Sequence, residues 1–223
     1  MDPTTLSTWI FTTMVALAPP GRPTFITAAK ESVEDGKQRY TEIAEVIRRV
    51  VQDPSEEPVL SRKFTASLLI SLTFHESAGW RRDVDLDIDR LRLAGTGWQD
   101  HGRSWCMGQH NLGLKMLPGG GYDSAERTSE GWSGRDLVQD REKCIRATLH
   151  AARRSFSSTP GLPLDYRLVI YAAGNATSED GRNKSERRIR LAKKLNNKPM
   201  PAPPAIEVAA TPSGPVATLL PSP

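Results

Sequence analysis

Glu76, in the run His75-Glu76-Ser77-Ala78-Gly79-Trp80, is the side chain best placed to do chemistry. It lies near the end of a stretch from Lys63 to Ser77 in which Phe64, Ala66, Leu68, Leu69, Ile70, Leu72 and Phe74 fall on every side of a helix, the pattern of a helix enclosed by protein. A carboxylate at that point is expensive to bury in ionised form. Burial raises its pKa, and the negative end of the helix dipole pushes the same way. A carboxylic acid still protonated near neutrality is the proton donor that glycosidic bond cleavage requires. A surface residue or an ion-pair partner is the commoner use of a Glu in a last turn.

Metal chemistry fits this neighbourhood poorly. A zinc-protease helix needs a second His four residues after His75, where the chain has Gly79. The acidic run Asp83, Asp85, Asp87, Asp89 lacks the Gly and Glu of a calcium loop, carrying Ile88 and Ala94 at those places. Alternation of these carboxylates with Val84, Leu86 and Ile88 predicts a short half-buried strand, from which one Asp is available to position a water.

Two further clusters mix polar and aromatic side chains. Gly102 to Asn111 brings Trp105, Gln109, His110 and Asn111 into a segment without helical period. Such a mixture suits a sugar cleft, with flat rings for pyranose faces and amides for hydroxyl and N-acetyl groups. A turn-rich loop is the plain alternative. Tyr171-Ala172-Ala173-Gly174-Asn175 reads as a helix terminus with a left-handed glycine.

The order of the three clusters resembles the lytic transglycosylase and lysozyme-like superfamily. Glu76-Ser77-Ala78-Gly79-Trp80 is similar to its Glu-Ser-x-Gly-aromatic signature, Met107-Gly108-Gln109-His110-Asn111 to its Leu-Met-Gln-Ile-Asn segment, and Tyr171-Ala172-Ala173-Gly174 to its Tyr-Asn-Ala-Gly segment. The resemblance runs from about Lys63 to Leu195. It implies a mainly α, lysozyme-like domain with an irregular loop or small β region between helices. It implies Glu76 as catalytic acid, Ser77, Gln109 and Asn111 as substrate contacts, and Tyr171 as the hydrogen-bond partner that orients Glu76. The implied substrate is peptidoglycan, cut at the β-1,4 bond between N-acetylmuramic acid and N-acetylglucosamine, with no metal or organic cofactor. Ala172 replaces the usual Asn and Gly108 the usual Met, so the subsite walls differ. The 33 residues from Glu76 to Gln109 are consistent with an inserted loop over the cleft.

The elements that must position these residues are helical by pattern. Leu6 to Ala18 is apolar, but its 13 residues are well short of the ~20 a spanning helix needs. Asp2 and the absence of Lys or Arg before the run argue against a signal peptide, so a buried helix stopped by Pro19 and Pro20 is expected. A second helix is expected from about Thr27 to Gln52, with Gly36 as a potential break. Others are expected from about Arg135 to Ala152, Asp165 to Ala173 and Ser185 to Leu195. Residues 81 to 134 should be irregular with at most short strands, a length of loop that is more often functional than not. The chain is therefore expected to divide into N-terminal helices over 1–62, a catalytic domain over 63–198, and a disordered, Pro-rich tail over 199–223 that holds eight of the 17 prolines.

The net charge of +4 is local. Residues 181 to 198 hold eight Lys and Arg against Glu186, a patch of +7, so the rest of the chain carries −3. The patch fits an anionic partner or a solvated helix face equally well. No nucleic-acid motif accompanies it, and nucleic acid ranks last among the partners considered. The enzymatic alternative to transglycosylation is lysozyme-type hydrolysis. The non-enzymatic alternative is a wall-binding or virion structural module. A monomer acting on the wall outside the cytoplasm is expected, delivered by a phage lysis or virion route or by unconventional export. An extracytoplasmic substrate favours a disulfide between Cys106 and Cys144 over two buried thiols.

Overall fold

The computed structural model describes residues 2–201 and is mainly helical, with a small β region. Helix α1 (Pro3–Leu17) starts on Asp2, whose carboxylate accepts the Thr5 N–H, and buries Leu6, Trp9, Ile10 and Met14. Met1 and residues 202–223, including most of the expected tail, lie outside the described residues. Pro199 to Pro201 lie within them, and Met200 packs on the core. No helix among the described residues is long and apolar enough to cross a membrane.

Helix α2 (Val33–Gln52) is capped by Ser32 and carries a buried stripe from Tyr40 to Val51. A short 3-10 turn at Thr27–Ala29 precedes it, where a longer α2 is expected from sequence. Gly36 does not break the helix. A Cβ there would come within 2.9 Å of the Pro20 side chain and 3.1 Å of the Gly21 nitrogen, so the glycine lets the link from α1 pass close to α2.

Helix α3 (Arg62–Glu76) runs through the centre. Every residue from Phe64 to Thr73 is buried, as its all-round apolar pattern demands. Its buried hydroxyls are satisfied by carbonyls: Ser67 donates to Lys63, Thr73 to Leu69, and Ser71 to Arg188 of a distant helix. Between α3 and residue 134 the chain forms α4 (Arg82–Asp85), α5 (Arg90–Gly95), the single turn α6 (Gln99–Gly102) and four two-residue strands. Strands β1 (Ser104–Trp105) and β2 (His110–Asn111) pair antiparallel, as do β3 (Lys115–Met116) and β4 (Tyr122–Asp123).

The strand expected over Asp83 to Asp89 is instead the helical turn α4. Its alternating carboxylates face inward because partners from elsewhere meet them. Asp83 accepts the Ile26 N–H at 2.9 Å, and Asp85 is held by Arg39 at 3.2 Å and Arg141 at 2.8 Å. Helices α7 (Gly134–Gln139), α8 (Arg141–Ser158), α9 (Val169–Ala173) and α10 (Glu179–Asn196) complete the fold. One apolar cluster joins Leu6 and Trp9 of α1 to Ile189, Ala192 and Leu195 of α10, so the N-terminal helices share the core of the remainder. A satellite cluster of Ile26, Ala29, Val84 and Leu93 lies under Phe25, Ile88 and Trp98.

Candidate active site

A cleft of about 890 Å³ opens where the end of α3 meets α6, β2, α9 and α10. Glu76 lies in its wall at the last residue of α3, with 16% of its side chain exposed. The Arg188 guanidinium reaches it from α10, donating to one carboxylate oxygen through Nε at 2.8 Å and Nη2 at 2.5 Å. Burial raises the Glu76 pKa above its ordinary value. The Arg188 charge, its hydrogen bonds and Lys184 pull the other way, and the Asp100 charge adds to the upward push. The net displacement is upward, so the site holds its proton more tightly than a carboxyl in water.

The cleft gathers Gln109, Asn111 and Tyr171 beside Glu76. Gln109 has left-handed backbone (φ +49) and donates through Nε2 to the Cys106 carbonyl at 2.8 Å. Asn111 is exposed on β2, opposite Ser104. Tyr171 differs from the expectation of a bond to Glu76: its hydroxyl donates to the Gly108 carbonyl at 2.9 Å. It therefore holds the loop that carries Gln109. Burial, followed by the nearby Glu76 charge, raises the Tyr171 pKa well above the usual phenol range and keeps it a donor.

Ser77 lies outside the cleft lining and is fully buried. Its hydroxyl donates to the Thr73 carbonyl at 2.6 Å and accepts the Trp80 N–H at 2.8 Å, so it terminates α3. Trp105 is likewise no platform for a sugar. It is fully buried, lies 3.4 Å from the Arg90 guanidinium carbon, and donates to the Gly113 carbonyl. No carboxylate of the 83 to 89 run lines the cleft, whereas Asp100 does, accepting from Ser104 Oγ at 2.9 Å.

The loop carrying Gln109 is fixed from two directions. The Cys106–Cys144 disulfide ties it to α8, with Cα atoms 6.2 Å apart. The departure at Gly108 has a steric cause, since a Cβ there would come within 2.1 Å of the Thr148 hydroxyl and 2.7 Å of His110 Nε2. The Thr148 hydrogen goes to the Cys144 carbonyl, so His110 Nε2 is the donor in its 3.1 Å contact with Thr148. Burial lowers the His110 pKa to about 4. His75, in the cleft beside Glu76, is lowered to about 4 by burial and then by Arg188 and Arg187. Both imidazoles are therefore neutral at pH 7.

Arg188, Trp98, Gln99 and Asp100 are cleft residues that the sequence reading did not single out. For Arg188 a signal existed: Ser185, Arg188, Ile189, Ala192 and Leu195 form the buried stripe of α10, with a cation inside it. The rest of the basic patch is at the surface or paired, as in Lys184 with Asp180 and Lys193 with Asp165. Comparison with protein-family models, curated proteins and solved structures gives no match.

Proposed function

We propose that this chain cleaves the β-1,4 bond between N-acetylmuramic acid and N-acetylglucosamine in peptidoglycan, as a lytic transglycosylase with Glu76 as acid and then base. The observation that carries the reading is a convergence. A carboxyl whose pKa is raised by burial shares one cleft with Gln109, Asn111 and Tyr171, which lie 33 to 95 residues further along the chain. These are three of the positions on which the family resemblance rests.

In this mechanism Glu76 gives its proton to the oxygen linking the two sugars as the C1–O bond breaks. The carbonyl oxygen of the muramyl N-acetyl group bonds to C1, replacing the second carboxylate of an ordinary glycosidase. Glu76, now ionised, takes the proton of the muramyl 6-hydroxyl. That oxygen attacks C1, the N-acetyl oxygen departs, and a 1,6-anhydro sugar is released. Arg188 stabilises the carboxylate that forms when the proton leaves, while burial raises the pKa and so opposes loss of the proton. Tyr171 fixes the Gln109 loop against which the glycan lies.

One observation favours hydrolysis as a second reading. Asp100 lines the same cleft and supplies the second carboxylate that water-based cleavage uses. Mass spectrometry of the digestion products separates the two, since anhydro and reducing ends differ by one water. The test of the site itself is Glu76→Gln. The amide oxygen still accepts from Arg188, but the amide has no acidic proton to donate, so muropeptide release should fall by about 10² or more. A folded Glu76→Gln protein that releases muropeptides at the wild-type rate removes this site from the reaction.

A further inference from the structure

Helix α10 turns one face to the cleft and another to solvent, and its solvent face carries charge that the fold leaves uncompensated. Lys184 and Arg188 line the cleft. The charge of Arg187 helps, after burial and Arg188, to lower the pKa of His75 in the cleft wall. Counting on from Lys184, Arg187, Arg190 and Lys194 follow at steps of three, three and four residues, which brings them along one side of the helix. At 1.5 Å per residue they make a track of about 15 Å that begins at the cleft. Arg187, Arg190 and Lys194 are all exposed.

Within the fold the track has few partners. Lys184 meets Asp180 at 2.6 Å and Arg190 meets Glu186, both as exposed pairs inside α10. Such pairs contribute little and exchange readily for another anion. Arg187 and Lys194 have no hydrogen bond or ion pair among the described residues. Like charges three and four residues apart repel, so Lys184 with Arg187, Arg187 with Arg190, and Arg190 with Lys194 weaken the helix that carries them. An anion lying along the track removes that repulsion. Two features narrow its chemistry. The large apolar side chains exposed among the described residues, Val33, Leu60, Leu86, Leu91 and Met116, lie elsewhere, so the track has nothing to insert into lipid. Nor does α10 carry an aromatic ring on which a base would stack.

We propose that Arg187, Arg190 and Lys194, continuing outward from Lys184, bind the carboxylates of the peptide stems that project from the peptidoglycan strand. This inference rests on the glycan-cleaving reading and adds a contact with a second part of the same polymer, away from the bond that is cut. A stem that leaves the strand at the Lys184 lip of the cleft runs out along the track. Its free carboxylates supply the missing anions, and a guanidinium meets a carboxylate through two parallel N–H···O bonds. The cations are carried on long exposed side chains, so the contact is electrostatic and weakens with salt. It lengthens the stay of the chain on the wall and takes no part in bond cleavage.

The test uses the full chain carrying Glu76→Gln, which leaves the wall uncut, with and without the triple change Arg187→Gln, Arg190→Gln and Lys194→Gln. Co-sedimentation compares native sacculi with sacculi whose carboxylates are amidated by carbodiimide and ammonium, which keep glycan and peptide and lose the charge. At low salt the Glu76→Gln protein should bind native sacculi about tenfold tighter, the sum of a few exposed ion pairs, and the preference should fade toward ~0.5 M salt. The triple variant should bind both alike, with the affinity its parent has for amidated sacculi. Its melting temperature should match that of its parent, since all three positions are exposed. Arg187→Gln alone should cause a partial loss, and it decides the matter if the triple variant fails to fold. Full preference kept by the folded variant, or no preference in its parent, overturns the track and leaves glycan cleavage standing. Retention on duplex DNA or phosphatidylglycerol vesicles, at a salt concentration that frees the protein from native sacculi, also overturns it and assigns the cations to that partner. If the preference follows the track but the wild-type chain releases no muropeptides from either wall, the track stands as an anchor and the glycosidase reading falls.

Discussion

Replacing Arg188 with Met tests how the fold sets the proton affinity of Glu76. The Arg188 side chain is 9% exposed and that of Glu76 16%, so little water would replace the lost partner. A nearby Arg commonly lowers a carboxyl pKa by about one to three pH units, and removing it leaves burial opposed by Lys184 and reinforced by Asp100. Cleavage needs protonated Glu76, so activity falls as pH rises through its pKa. The falling limb of kcat/KM against pH should therefore move to higher pH by about one to three units in Arg188→Met.

Stability gives an independent reading with the same sign. The folded-state pKa of Glu76 in the variant lies further above its unfolded value. The folded state then binds the extra proton, and stability is lost as pH rises through the interval between the two values. Breaking a buried ion pair costs about 3–5 kcal/mol, and the cleft-facing exposure of Glu76 favours the lower figure. In a domain of this size ~3 kcal/mol is about 6–12 °C in Tm, a deficit that should shrink on acidification as Glu76 takes up its proton. Turbidity assays on wall sacculi and melting curves across pH 4 to 9 supply both measurements. An unmoved alkaline limb together with a pH-independent Tm deficit would refute the reasoning.

Tyr171→Phe removes the donor to the Gly108 carbonyl and should cost about 1–3 kcal/mol, raise KM through the Gln109 loop, and leave the pH profile in place. A shifted pH profile would instead indicate a direct Tyr171–Glu76 bond. Reduction of Cys106–Cys144 opens a 38-residue loop and should lower stability by roughly 3–4 kcal/mol in the chain-entropy account. Thiol labelling before and after reduction, alongside melting, checks it, and two free thiols in oxidatively purified protein would contradict the bridge. Met200→Asp should lower stability by ~1 kcal/mol or more because Met200 packs on the core, and an unchanged Tm would make that contact inconsequential.

The parts of this fold that were legible in the sequence are those in which each residue reports its own burial. An all-round apolar run gives the enclosed α3, and Pro19 and Pro20 stop α1 on local grounds. The place of Glu76 at the end of that helix is legible for the same reason, whereas its pairing with Arg188, 112 residues away, is not. The Asp83 to Asp89 run misleads because period-two alternation of Asp with apolar residues describes a strand only if the carboxylates face water. Here Asp85 faces Arg39 and Arg141, which lie 46 and 56 residues away, and charge pairing at that separation leaves no local trace. Arg188 was obscured by composition, since seven neighbouring cations made it look like one of a solvated set, although its place on the buried stripe of α10 set it apart. Gln99 leaves no pattern in the sequence, because its distinguishing property is that its buried amide has no hydrogen-bond partner among the described residues. Arg188, which pairs with Glu76, is thus a residue whose local environment contradicts its type. A cation on an apolar helix face is costly unless a buried partner meets it, and for Arg188 that partner is Glu76, 112 residues away.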